Sequence, residues 1–166
     1  MSPKELTVLQ KLNKELKSYV HRVENEQHFQ VAERDITYND FLSDRMLIVH
    51  SIREGIPYSL FRLIQGLSPF TETDWASLLG ISTKSLQRYR QSSKKFKPAH
   101  TEKIIEMAEV TQLGLETFGA MDKFKLWLDT PDFALGNMKP IDLLKDSYGK
   151  EMVVGELTRI TYGILV

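Results

Sequence analysis

Apolar positions recur at helical spacing along almost the whole chain. Leu9, Leu12, Leu16, Tyr19 and Val23 step by three and four with Lys and Glu between them, the stripe of an amphipathic helix. The repeat covers only about two heptads, so it suits either a helix packing on its own domain or a short dimerising arm. Residues 24–36 are polar and read as a linker. Thr37, with Asp40 three residues on, offers a capping box for a helix carrying Phe41, Leu42, Leu47, Ile48 and Ile52 inward, stopped by Gly55. Pro57 suits the first position of the next helix (Tyr58, Leu60, Phe61, Leu63, Ile64), closed by Gly66. No period-two run of useful length and no internal repeat interrupts this pattern. The expected fold is all-α.

Residues 71–91 hold the most informative local pattern. Thr71-Glu72-Thr73-Asp74 is a capping box for a short helix through Trp75, Ala76, Leu78 and Leu79. Gly80 follows where a tight turn needs positive φ, Ile81 plugs the turn, and Ser82 can cap a second helix over 83–91. Leu86 and Tyr89 would face the core, leaving Thr83, Lys84, Gln87, Arg88 and Gln91 outward. Gln can bond adenine bidentately, and Arg or Lys can bond guanine or hold phosphate. Lys94, Lys95 and Lys97 follow as a basic turn suited to a nucleic-acid backbone. This is the layout of a helix-turn-helix; an ordinary helical hairpin with a solvated basic face is the bland alternative.

Charge changes that balance. The 166 residues carry 22 basic and 22 acidic side chains, a net charge of zero. Residues 82–103, however, hold seven basic groups against the single acid Glu102, while residues 104–166 hold six against ten. One segment is built to meet phosphate and another to meet something else. There is no cysteine, which removes thiolate catalysis and Cys-ligated zinc. His21, His28, His50 and His100 are scattered without metal-ligand spacing. Gly-rich phosphate loops and Gly-x-Ser-x-Gly elbows are missing, so no enzyme chemistry and no cofactor is expected. The start, Met1-Ser2-Pro3-Lys4-Glu5, lacks a secretory apolar core, and no apolar run approaches the roughly 20 residues of a membrane span. A cytoplasmic protein with no membrane partner is expected.

The last third opens at Pro98 with a long helix (Ile104, Ala108, Thr111, Leu115, Phe118) ended by Gly119, then a helix with Phe124, Trp127 and Leu128 stopped by Thr130-Pro131. A Gly136-Asn137 turn precedes a Pro140-initiated short helix, and Gly149 begins an element with Val153, Leu157 and Ile160 on one face. The chain finishes in Ile164-Leu165-Val166, an apolar end that either tucks into its own core or meets a partner.

Phe118-Gly119, Phe124, Trp127-Leu128, Pro131, Ala134-Leu135-Gly136, Pro140-Ile141-Asp142-Leu143-Leu144, Gly149, Val153 and Arg159-Ile160-x-Tyr162-Gly163 resemble the toxin-binding domain of Xre/MbcA/ParS-type antitoxins. That family also sets an Xre-like helix-turn-helix just upstream, as at 71–91, and the resemblance spans residues 56–166. Asn137 stands where the family usually has a second Gly, and Asp132 where it often has Asn. Asn still permits a left-handed turn. The first 36 residues carry no part of the likeness.

The resemblance implies a type II toxin–antitoxin system. Its antitoxins bind a RES-domain toxin that depletes NAD⁺, cover that toxin's active-site cleft, and repress their own operon by binding double-stranded operator DNA as homodimers or larger complexes with toxin. Periodicity and resemblance together divide the chain into a helical N-terminal extension at 1–36, a helix-turn-helix domain at 37–97 and a toxin-binding domain at 98–166. Arg159, Tyr162, Gly163, Ile164, Leu165 and Val166 would approach the toxin, whereas Trp127, Leu128, Pro131, Leu135, Pro140 and Leu143 would be scaffold. Two rivals share the same residues: a stand-alone helix-turn-helix regulator whose C-terminal domain only dimerises, and a partition or scaffold protein recruiting another partner.

Overall fold

The computed structural model describes residues 1–31 and 35–163. Ten α-helices and one 3-10 turn are found among the described residues, and no strand occurs among them. The fold is all-α. They form two compact units: Met1–Leu67 with Lys84–Ala108, and Ser68–Thr83 with Glu109–Val166.

In the first unit, α1 (Pro3–Gln27) starts at a capping box in which Ser2 and Glu5 satisfy each other's amides. Its apolar stripe of Leu12, Leu16, Tyr19, Val20 and Val23 is buried, and it packs against α2 (Tyr38–Ser43), α3 (Arg45–Glu54) and above all α4 (Tyr58–Gly66). Five such side chains contribute on the order of 10 kcal/mol of transfer free energy, so α1 is part of this core. Polar contacts fix its register. The Tyr19 hydroxyl donates to the Gly55 carbonyl at 3.1 Å, Tyr38 N donates to Asn13 Oδ1 at 2.9 Å, and Lys17 Nζ reaches Asp35 at 2.7 Å.

Three expectations change here. The polar stretch after residue 23 is no simple linker: α1 continues through Gln27, Val31 N donates to the Glu24 carboxylate at 2.7 Å, Phe29 stacks on His50 at 4.2 Å, and Ile36 is buried. The one helix expected from Thr37 to Gly55 is two. Thr37 and Asp40 do form the capping box, but Asp44 turns extended (φ −91°, ψ 96°) and caps α3 by accepting from Leu47 N at 2.9 Å. An Asp side chain competing for local amides breaks the helical run. Pro57 is the N-cap of α4 and stands one residue before its expected place.

In the second unit, α5 (Glu72–Leu79) buries Trp75, edge-on to Phe70 with ring centroids 5.5 Å apart. The long α7 (Pro98–Phe118) contributes its last turns to this unit. It is followed by α8 (Met121–Leu128), the 3-10 turn Phe133–Leu135, α9 (Pro140–Leu143) and α10 (Ser147–Thr161). The last helix packs on α9 and on the 3-10 turn, and α8 packs on α9. Phe124, Leu128, Leu135, Leu144, Val153 and Leu157 form the core. Asp146 caps α10 by accepting from Gly149 N at 2.8 Å, so the helix begins two residues before the expected Gly149.

Candidate nucleic-acid interface and partner surface

Thr71 and Asp74 form the capping box of α5, and Gly80 ends that helix in the left-handed region at φ 65°. Ile81 N then donates to the Ala76 carbonyl at 3.0 Å, closing a Schellman-type turn. A residue with a Cβ would strain here, which is why glycine stands between the two helices. Helix α6 (Thr83–Gln91) follows, with Leu86 buried and Tyr89 half-buried. Thr83, Lys84, Gln87, Arg88 and Gln91 are all exposed, and their spacing places them along one side of α6.

The turn after α6 is held by an aromatic anchor. Phe96 is buried, stacks on Tyr89 with centroids 4.2 Å apart, and gives its N–H to the Ile56 carbonyl at 2.8 Å. The buried Thr101 hydroxyl accepts from Ile56 N at 3.1 Å and donates to the Phe96 carbonyl. Lys94 and Lys95 therefore project from a fixed loop, and both are exposed. They are not equivalent. The Lys95 ammonium is engaged by the nearly buried Glu54 carboxylate, whereas Lys94 has no carboxylate partner among the described residues. Two further exposed cations join this surface: Arg90 on α6, and Arg62, which α4 brings up beside Arg90 and Lys94. Arg62 stands 22 residues before Lys84 in a segment with no basic neighbour, so no linear signal marks it.

The other surface is on α10. Val153 and Leu157 face the core, while Tyr148, Met152, Gly155 and Arg159, then Tyr162 just past the helix, recur at four and three along the opposite side. Tyr148 is 82% exposed, Tyr162 75% and Met152 48%. Gly155 sits mid-helix with no atom within 4 Å of where a Cβ would stand, so nothing in its own fold requires glycine there. Arg159 donates from Nε to Glu156 Oε2 at 2.8 Å, and this bond raises its guanidinium above the ordinary value. Glu156 is itself buried, so Arg159 is held in place along the helix. Gly163 closes the described chain in the left-handed region at φ 63°. Ile164, Leu165 and Val166 lie outside the described residues.

Beside α10, Gly136 and Asn137 are both left-handed (φ 69° and 60°), and Asp132 N donates to the Met138 carbonyl at 3.0 Å to close the turn. Asp132 earns its place twice, capping the 3-10 turn through Ala134 N and accepting from Trp127 Nε1 at 2.9 Å. Trp127 is half-buried against Phe118 and Phe124. Leu128, Leu135, Pro140 and Leu143 are buried, but Pro131 is at the surface. Phe133 is 88% exposed on the 3-10 turn.

A capped helix, a glycine turn and an exposed cationic helix, on a chain that also presents a separate apolar helix face, define a helix-turn-helix protein. Residues 48–109 match the model of the antitoxin Xre-like helix-turn-helix domain, and residues 113–163 match that of the antitoxin Xre/MbcA/ParS C-terminal toxin-binding domain. The chain is 28% identical over 115 residues to an antitoxin Xre of Photorhabdus laumondii, covering 69% of this chain and 78% of that one. It is also 28% identical over 120 residues to an antitoxin Xre of Yersinia enterocolitica, covering 71% and 80%. The chain belongs to the Xre antitoxin family.

Proposed function

We propose that this antitoxin neutralises a RES-domain, NAD⁺-depleting toxin by covering its active site, and represses its own operon through α6. It works by binding and carries no catalytic centre of its own. One observation supports the toxin reading most: Tyr148, Met152, Gly155 and Tyr162 form an exposed, largely apolar stripe, with the half-buried Arg159 among them, inside the region matched to the toxin-binding domain. A mid-helix glycine costs about 1 kcal/mol relative to alanine. That cost is recovered where a partner backbone must approach closely. Aromatic side chains rimming such a seam are what binding hot spots use.

On the DNA side, Thr83, Lys84, Gln87, Arg88 and Gln91 read base edges in the operator, and Lys94 holds backbone phosphate. Lys95, already paired with Glu54, contributes less. Homodimers or larger complexes with toxin bring two recognition helices to one operator and raise avidity through effective concentration.

The test is co-expression of the neighbouring reading frame with the full-length chain, with its Tyr148→Asp/Tyr162→Asp variant, and with a 1–158 truncation. The reading predicts that wild type rescues growth, while both altered forms lose rescue yet still retard the upstream DNA. A neighbouring product that is harmless alone removes the toxin assignment and leaves the stand-alone regulator.

A further inference from the structure

The first unit has a second cationic feature that α6 alone does not explain. Arg62 of α4, Arg90 of α6 and Lys94 of the following loop line one open cleft of about 450 Å³, together with the hydroxyls of Ser59, Ser92 and Ser93. No carboxylate lines it. None of the three cations has an acidic partner among the described residues, whereas Lys95 next to them is bound to Glu54. Three like charges gathered round one concavity repel each other unless an anion enters. The cleft also lies at the start of the nine-residue α4, whose N-cap, Pro57, gives its first turn no side-chain acceptor. Helix starts with unmet amides favour anions. Ser59 already donates to Glu15 at 2.8 Å and Ser92 Oγ accepts from Lys94 N at 3.4 Å, so Ser93 is the serine of the cleft whose hydroxyl is not already engaged.

We propose that this cleft is a clamp for one phosphodiester of duplex DNA, flanking the groove that α6 enters. This rests on the reading of α6 as the recognition helix. The commitment to DNA follows from continuity: Arg90 belongs to the same helix as Lys84, Gln87 and Arg88. The six steps from Lys84 to Arg90 span roughly 9 Å along the axis at about 1.5 Å each. A major groove is about 12 Å wide, so a phosphate at its edge falls within reach of the far end of the helix. Such a contact sets register and orientation and carries no base information.

The experiment is fluorescence-anisotropy titration of the full chain against two duplexes, its own upstream DNA and a shuffled sequence of equal length, across a salt series. The proteins are wild type, Arg88→Ala, Arg62→Gln/Arg90→Gln, and Lys94→Gln as a loop-only variant that leaves both helices untouched. Unchanged thermal midpoints establish folding. The clamp predicts that the double variant loses about tenfold affinity at physiological salt, equally on both duplexes. Its salt slope falls by about 0.9, the release expected for one phosphate. Lys94→Gln goes the same way by a smaller factor. If Arg88→Ala weakens binding while the three cleft substitutions leave affinity and slope alone, the clamp is overturned and the recognition helix stands. Losses confined to the upstream duplex would mean base reading and also overturn it. If wild type binds neither duplex at any salt, the recognition-helix reading and the clamp fall together.

Discussion

A Cβ placed on Gly149 would lie 2.0 Å from the carbonyl oxygen of Leu143. The backbone of α10 thus rests directly on the end of α9, and the obstacle is main chain that cannot swing aside. Gly149→Ala forces the two helices apart and is expected to cost about 2 kcal/mol or more, as overpacking of a core does. Urea denaturation with an unchanged m-value measures it. Gly155→Ala, six residues on, meets nothing within 4 Å and should raise stability by up to about 1 kcal/mol. If that variant also loses toxin binding, the glycine serves the partner.

If α6 is the recognition helix as proposed, Arg88→Ala should relax discrimination between the operator and a shuffled duplex by about 1–3 kcal/mol, because that reading turns its exposed guanidinium toward the groove. Lys94→Ala should weaken both duplexes alike. Lys95→Ala is expected to change DNA affinity least of the three, since Glu54 already holds that ammonium. Gel-shift titrations at two salt concentrations rank them.

The Tyr19 hydroxyl, donating to the Gly55 carbonyl from the buried face of α1, anchors the C-cap of α3. Burial pushes its phenol well above the ordinary value, so it remains a donor at all working pH. Tyr19→Phe leaves that buried carbonyl short of a donor and should cost about 1–2 kcal/mol. A midpoint unchanged in thermal melts would show that α1 docks by apolar contact alone.

Burial, with help from Lys97, lowers the pKa of His100 from its ordinary 6.5, and its Nδ1 is buried without a hydrogen-bond partner among the described residues. The unfolded chain therefore takes up this proton first as pH falls. Stability should drop as pH passes down through 6.5 and level off below the folded value. Asp35 and Asp40, whose carboxyls are lowered from 3.8 by Lys17 and Thr37, act only in more acid solution. Between pH 7.5 and about 5, His100→Gln should shrink the fall in melting temperature seen for wild type.

Local chemistry made much of this protein legible in one dimension. The capping boxes at Thr37 and Thr71, the glycine stops at Gly80 and Gly119, and the Gly136-Asn137 turn are decided by residues within a few positions of each other. The sequence could therefore state them, and with them the all-α fold and the helix-turn-helix. Asp44 was the local exception, because its competition with the helix depends on which amides are left open.

Tertiary structure alone decided which surface groups share a neighbourhood. Glu54 takes Lys95 out of the basic turn across 41 residues, and α4 carries Arg62 to Arg90 and Lys94. The spacing of Tyr148, Met152, Gly155, Arg159 and Tyr162 is written in the chain, yet only the packing of Val153 and Leu157 shows that this side of α10 was left uncovered. Periodicity defines a helix face; what lies opposite that face is set by residues far away in sequence, whose approach no local pattern records.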